Sequence, residues 1–202
     1  MIWWEKTVEY AFVRSCLLDG NMITPFDGNH EVMGDAMMSH RNKLILIEFK
    51  RDLSLWRTEQ IKFRDYKEAK AELEGDDSHH FIVAGSQQGE GAILVAQNYF
   101  SSRPSSLKNM LEAAVDEETM SRYILRLIKH KLNGEASGKK SILVPSNACL
   151  YGVNERGVIT TTLTLDSSWL DIAINHVRGK MGIKVQKVQD KPIKHRGHDL
   201  TL

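Results

Sequence analysis

An α/β fold is predicted, with a mixed sheet, an α-β-β-β-α-β order over the first 85 residues, and further helices and a β-hairpin after it. Three observations predict it. Residues 1–19 place Trp4, Val8, Ala11, Phe12 and Leu18 on one side at helical steps of about 100°. Three short extended runs follow, MITPF (22–26), HEVMGDAMMS (30–39) and KLILIEFK (43–50). A second amphipathic stretch then leads into the apolar run HFIVAG (80–85).

Each element has its own signal. DGN (19–21) ends the first helix, and SHRNK (39–43) separates the second and third strands with polar turn formers. The helix from about Trp56 to Glu74 turns Trp56, Phe63, Tyr66 and Leu73 inward and a lattice of Lys, Arg, Glu and Asp outward. EGDD (74–77) stops it. QQGEG (87–91) is a turn before the strand AILVAQNYF, and its glycines precede a strand, which excludes a phosphate-cradling loop. A long helix is expected over 106–132, with Leu107, Met110, Leu111, Ala114, Met120, Tyr123, Ile124, Leu127 and Ile128 on its apolar side. SILVPSNACLYGV and GVITTTLTLD read as strands joined at NERG, and Asp166–Ser168 cap a last helix through Trp169, Ile172, Ala173 and Val177.

The bulk properties are those of an ordinary globular chain: 202 residues, 42% hydrophobic and 26% charged. Two cysteines, Cys16 and Cys149, make no disulfide framework and favour a reducing compartment. They lack the spacing of a zinc site or thiol catalyst and read as structural. The start, MIWWEKTVEY, has acids where a signal peptide needs a basic region, and no apolar run approaches the roughly 20 residues of a membrane span. The expected location is cytoplasmic, with no membrane partner. Charge is uneven: residues 178–202 carry seven Lys/Arg against Asp190 and Asp199, a net +5, leaving −4 elsewhere in a chain of net +1. Such a tail either follows phosphates or is a solvated end.

The chemistry lies in ILIEFKRD (45–52). Strand alternation puts Glu48 and Lys50 on one face. A hairpin turning at Arg41–Asn42 pairs His40 with Lys43, and continuing that register sets Asp35 opposite Glu48. Two facing carboxylates repel unless a cation lies between them, and two converging hard oxygens are what Mg²⁺ uses. Lys50 beside them can donate to a phosphate oxygen or hold the attacking water. Glu9 completes the set if the first helix packs across this sheet face. Other polar residues carry weaker signals. His79 and His80 read as polar residues at a strand entry, Asp27, Asn29, His30 and Glu31 as turn chemistry, and Trp3, Trp4, Trp56 and Trp169 as core or interface anchors.

Gly34-Asp35, twelve residues, then Glu48-Phe49-Lys50 at the end of an apolar strand resembles the PD-(D/E)XK nuclease superfamily, whose restriction-endonuclease-like core has the same element order. The resemblance covers roughly residues 1–85. On this reading residues 1–100 are the nuclease-like core and 101–202 an elaboration packed on it as one domain. Gly34 stands where the family's name-giving motif has Pro. The resemblance implies that Asp35 and Glu48 bind Mg²⁺, with Mn²⁺ able to substitute, that Phe49 lends its carbonyl, and that Lys50 is catalytic. The family's helix-borne acid falls on Glu9 or, second, Glu5. The implied activity is a metal-dependent endonuclease on DNA, working as a homodimer or as a subunit of a larger complex. The alternative is an inactive nucleic-acid-binding or protein-interaction module on the same fold.

Overall fold

The computed structural model describes residues 3–16, 21–26, 33–135, 148–153 and 159–165, with side chains through residue 131. Helix α1 (Glu5–Cys16) is followed by strands β1 (Met22–Pro25), β2 (Ala36–His40) and β3 (Lys43–Lys50). A 3-10 turn at Leu53–Trp56, the short α2 (Arg57–Gln60) and α3 (Tyr66–Leu73) lead to β4 (His80–Gln88) and β5 (Gly91–Asn98). Then come β6 (Pro104–Ser105), α4 (Leu107–Glu112), α5 (Glu117–Glu135), β7 (Ala148–Val153) and β8 (Ile159–Leu165). The strands form one mixed sheet in the order β6-β5-β4-β3-β2-β1-β7-β8. The β3–β4 pair is parallel and the other neighbours are antiparallel. The fold is therefore α/β, and its elements open in the α-β-β-β-α-β order. The last helix, Trp169, the 178–202 tail and the 27–32 segment lie outside the described residues.

Two cores cover the two faces of the sheet, and β3 divides its side chains between them. Ile45, Ile47 and Phe49 join Val8, Phe12, Cys16, Met38, Val83 and Met110 on the face under α1 and α4. The Phe12 and Phe49 rings meet edge to face at 5.4 Å. Leu44 and Leu46 join Phe63, Leu73, Tyr99, Tyr123, Ile124 and Leu127 on the face under α3 and α5. Glu48 and Lys50, in the same alternation as Leu44 and Leu46, belong to this second face.

The hairpin of β2 and β3 has the expected register, with His40 opposite Lys43 and Ala36 opposite Ile47. Its two-residue turn places both Arg41 and Asn42 at positive φ (51° and 62°), as a type I′ connection requires.

Several expectations are corrected. Helix α1 buries Val8, Phe12 and Cys16, while Ala11 and Trp4 are exposed, Trp4 to 72%. Trp4 precedes the first helical turn, so the i, i+4, i+8 stripe starts at Val8. Strand β2 begins only at Ala36, because residues 33–35 turn. The expected single helix over 56–74 is broken at 61–65. Asp65 starts a new helix there by accepting from the Lys67 and Glu68 N–H groups. The expected helix over 106–132 is likewise two, because Val115 pairs with Leu44 and Asp116 caps α5 through the Thr119 N–H. The apolar face of α5, with Met120, Tyr123, Ile124, Leu127 and Ile128, is spent inside the second core. His79 and His80 stand at the entry of β4, as expected, and are buried: His80 stacks on Tyr99 at 4.0 Å and contacts the Tyr123 hydroxyl at 2.8 Å.

Candidate active site

Asp35 sits just ahead of β2 and is held at three points. Its carbonyl accepts the Phe26 N–H at 2.7 Å, and its own N–H donates to Ile47 O at 2.9 Å. Its Oδ2 accepts the Phe49 N–H at 2.6 Å. The Asp35 N–H thus turns to Ile47 O, the partner of Ala36, which interrupts the regular ladder here, and beyond that point the Asp35 carboxylate receives the Phe49 N–H. Gly34 permits this approach, since a Cβ there would lie 3.1 Å from Ile47 O.

Glu48 is fully buried, and Lys50 nearly so. Lys50 Nζ lies 2.9 Å from Glu48 Oε1 and also donates to Phe49 O at 2.9 Å. Sequence reasoning missed the rest. Glu59, from α2, lies 2.9 Å from Lys50 Nζ, and Lys62, from the break before α3, lies 2.8 Å from both Glu48 Oε1 and Glu59 Oε1. The four groups close a ring in which acids and bases alternate. The contacts of Glu59 Oε1 are ion pairs outside hydrogen-bond geometry, and the Tyr99 hydroxyl anchors its other oxygen at 3.0 Å. Beneath the ring Lys131 of α5 is buried, its Nζ 5.4 Å from the centres of the Phe63 and Tyr99 rings and without a hydrogen-bond partner.

Burial raises the Glu48 pKa, with Lys131 the chief opposing charge. Burial likewise raises Asp35, against the Phe49 N–H bond and Lys50. For Glu59 burial is outweighed by Lys50, Lys62 and Lys131, which hold it at about 2. Burial disfavours the Lys50 ammonium, but Glu48 and Glu59 more than compensate and raise its pKa. Lys131 is the reverse case: burial lowers it despite the same two acids. Lys50 is thus a permanent cation, and Glu59 a permanent anion.

Glu48 Oε2 is buried and accepts no hydrogen bond, an unmet demand that a cation would satisfy. Asp35, just ahead of the adjoining strand, has its Oδ2 taken by the Phe49 N–H. Phe49 O already accepts from Lys50. No group of three or more His, Cys, Asp or Glu side chains placed to hold a metal occurs among the described residues. Asp35 and Glu48 therefore fit a hard cation that keeps most of its water, the habit of Mg²⁺.

Glu9 is not brought to this cluster. Helix α1 packs on the face of Ile45, Ile47 and Phe49, opposite Glu48 and Lys50, and Glu9 pairs with Lys6 one turn away at 2.6 Å. The packing that would complete the set with Glu9 is thus corrected; the third acid near Glu48 is Glu59. An unbroken helix over 56–74 sets Glu59 in its outward lattice; the Asp65 cap is the signal in the sequence for the break. Beyond Lys50, at the carboxyl ends of the parallel pair β3–β4, lies a cavity of about 620 Å³ lined by Trp3, Arg51, Ser54, Gly85 and Gln87 among others. Trp3 Nε1 donates to Arg51 O at 2.7 Å, and a Cβ on Gly85 would overlap that indole nitrogen.

No family model, curated protein or solved structure matches the chain. No helix among the described residues is long and apolar enough to cross a membrane.

Proposed function

We propose that the chain is a metal-dependent nuclease of the PD-(D/E)XK type with a restriction-endonuclease-like core, acting on DNA. The observation that carries this reading is the buried Glu48 Oε2 without a hydrogen-bond partner, on the same sheet face as Lys50 and across the hairpin end from Asp35. Asp35 and Glu48 would hold Mg²⁺, or Mn²⁺ in its place. A divalent cation bound there supplies Lewis acidity to the attacking water and the phosphate. Lys50, kept an ammonium by Glu48 and Glu59, adds positive charge to the phosphoryl oxygens as negative charge grows there; it is no base. Glu59, fixed by Tyr99, aims Lys50 and touches no reacting atom. Phe49 positions Asp35 through its N–H, and its carbonyl, which accepts from Lys50, would be available to a metal only if that bond were released. The cavity beyond Lys50 suits the nucleotide next to the scissile phosphate, with Arg51 at its wall and Trp3 as a flat side. Cutting both strands takes two such sites, hence two copies of the chain or a second nuclease subunit.

One observation favours a second reading, an inactive binding module. Asp35, Glu48 and Glu59 are already balanced by Lys50, Lys62 and Lys131. Purified protein on supercoiled, linear and single-stranded DNA and on RNA, with Mg²⁺, Mn²⁺ or EDTA, separates the two. We expect metal-dependent cleavage of DNA, abolished by Lys50→Ala with far less loss of binding, because the lost contact acts chiefly in the transition state. Wild type inert on every substrate supports the module; undiminished cleavage by Lys50→Ala removes the mechanism.

A further inference from the structure

The ring holds two ammonium groups that do the same thing. Lys50 and Lys62 each lie within 2.9 Å of Glu48 Oε1 and Glu59 Oε1. Their surroundings differ. The Lys50 side chain is 7% exposed and tied to the strand that also carries Glu48. The Lys62 side chain is 40% exposed and hangs from the non-helical break between α2 and α3, at the rim of the site. One cation is built in and the other can leave.

We propose that Lys62 is a displaceable cation, which a divalent metal bound by Asp35 and Glu48 drives by charge from its place between Glu48 Oε1 and Glu59 Oε1, and which then serves as a contact for the substrate phosphate. The proposal rests on the reading of Asp35 and Glu48 as a cation site. Charge supports it. With all six groups ionised the three carboxylates and three ammoniums cancel, so a dication entering the closed ring would leave it at +2 in a largely buried place. Such an excess is strongly unfavourable at low local dielectric. Swinging Lys62 into water leaves +1, and one phosphodiester neutralises that. Apo neutrality, metal entry and substrate charge are thereby coupled through a single side chain. Lys131 is not placed for this role, since it is 2% exposed and packed against Phe63 and Tyr99.

Two measurements test this without reference to turnover. The first is Mn²⁺ affinity by calorimetry for wild type and Lys62→Met. Removing the competitor is expected to tighten binding roughly tenfold, about the worth of one charge-assisted hydrogen bond. The second uses wild type alone and therefore survives any folding defect in the variant. Brief treatment with an amine-acetylating reagent, read by mass spectrometry, is expected to modify Lys62 several-fold faster with saturating Mg²⁺ than with EDTA, and Lys50 equally slowly in both. Saturable Mn²⁺ binding with unchanged Lys62 labelling, or with equal or weaker affinity in Lys62→Met, overturns the displacement and leaves the cation site standing. No saturable binding by either protein overturns the site and the displacement together. Tighter binding and faster labelling without cleavage of any nucleic acid would leave the displacement intact and overturn the nuclease reading only.

Discussion

Among the described residues two carboxylates have no exposed surface, Glu48 and Asp77, and they are treated in opposite ways. Asp77 Oδ2 accepts the Phe100 and Ser101 N–H groups at 2.8 and 2.7 Å, and its Oδ1 accepts the Ser101 hydroxyl at 3.0 Å. Arg103 adds an ion pair at 3.5 Å. Rigid backbone donors thus saturate this acid and fix the turn after β5. Glu48 has no backbone donor. One oxygen meets the ends of two lysines, and the other accepts nothing. A carboxylate serving only the fold is expected to look like Asp77, because leaving a buried acceptor bare costs about 1–3 kcal/mol or more. Glu48 bears that cost beside Asp35, which is where a cation would remove it.

The sharpest test of the contrast exchanges the two acids for neutral residues and reads stability and metal response together. Asp77→Ala strands several buried donors at once and is expected to destabilise by about 3–5 kcal/mol in chemical denaturation, with any Mn²⁺-induced rise in melting temperature retained. Glu48→Gln is expected to cost only about 1–2 kcal/mol, since Lys62 can turn to water, yet to lose most of the Mn²⁺ response. A larger stability loss for Glu48→Gln than for Asp77→Ala would break the distinction between a structural and a reserved acid.

The neighbourhood of Asp77 makes a second, somewhat smaller prediction. Burial holds His79 down at about 4 from an ordinary 6.5, against the pull of Asp76 and Asp77. A histidine depressed in the folded state binds its proton more readily when unfolded, so stability falls as pH drops from about 6.5 toward 4 and is unaffected above that window. The loss attributable to His79 is about 3 kcal/mol by pH 4. Comparing denaturation midpoints of wild type and His79→Phe between pH 7 and 4 checks it. The variant should lose visibly less, with His80, also pushed down by burial, accounting for part of what remains. An identical acid slope in both proteins would place the titration elsewhere.

Much of this was legible in the sequence, and the parts that were not have a common cause. The β2–β3 register could be read because strand alternation has a period of two and the loop admits few lengths; that placed Asp35 near Glu48 and put Lys50 beside it. Glu59, Lys62 and Lys131 could not be read the same way. On a helical wheel each looks like one more charge on a solvated flank, and only the break capped by Asp65 turns Glu59 inward. Lys131 goes under the ring because its long stem lies against Phe63 and Tyr99, an apolar resting place invisible to a charge pattern. The burial of His79 and His80 is hidden for a similar reason: strand entries are usually wet, but here α5 covers them with Tyr123.

The smallest expected effect belongs to the acid that the sequence favoured on the first helix. Glu9 lies on α1, whose buried side chains join the core opposite Glu48, and its partner is Lys6 of the same helix. Lys6 is largely exposed, and exposed pairs of this spacing contribute only a few tenths of a kcal/mol. Glu9→Gln is therefore expected to leave stability within about 0.5 kcal/mol of wild type, and both the Mn²⁺ response and DNA cleavage within about twofold. Glu59→Gln should behave differently despite lying farther along the chain from Asp35, since it removes one of the two acids that hold Lys50. Its cleavage rate should fall by tenfold or more, about 1.4 kcal/mol on the barrier, with DNA binding little changed. Measuring both variants in one cleavage series ranks the two acids directly. A large loss with Glu9→Gln and none with Glu59→Gln would mean that α1 and not α2 supplies the third acid, and that α1 moves when metal or DNA binds.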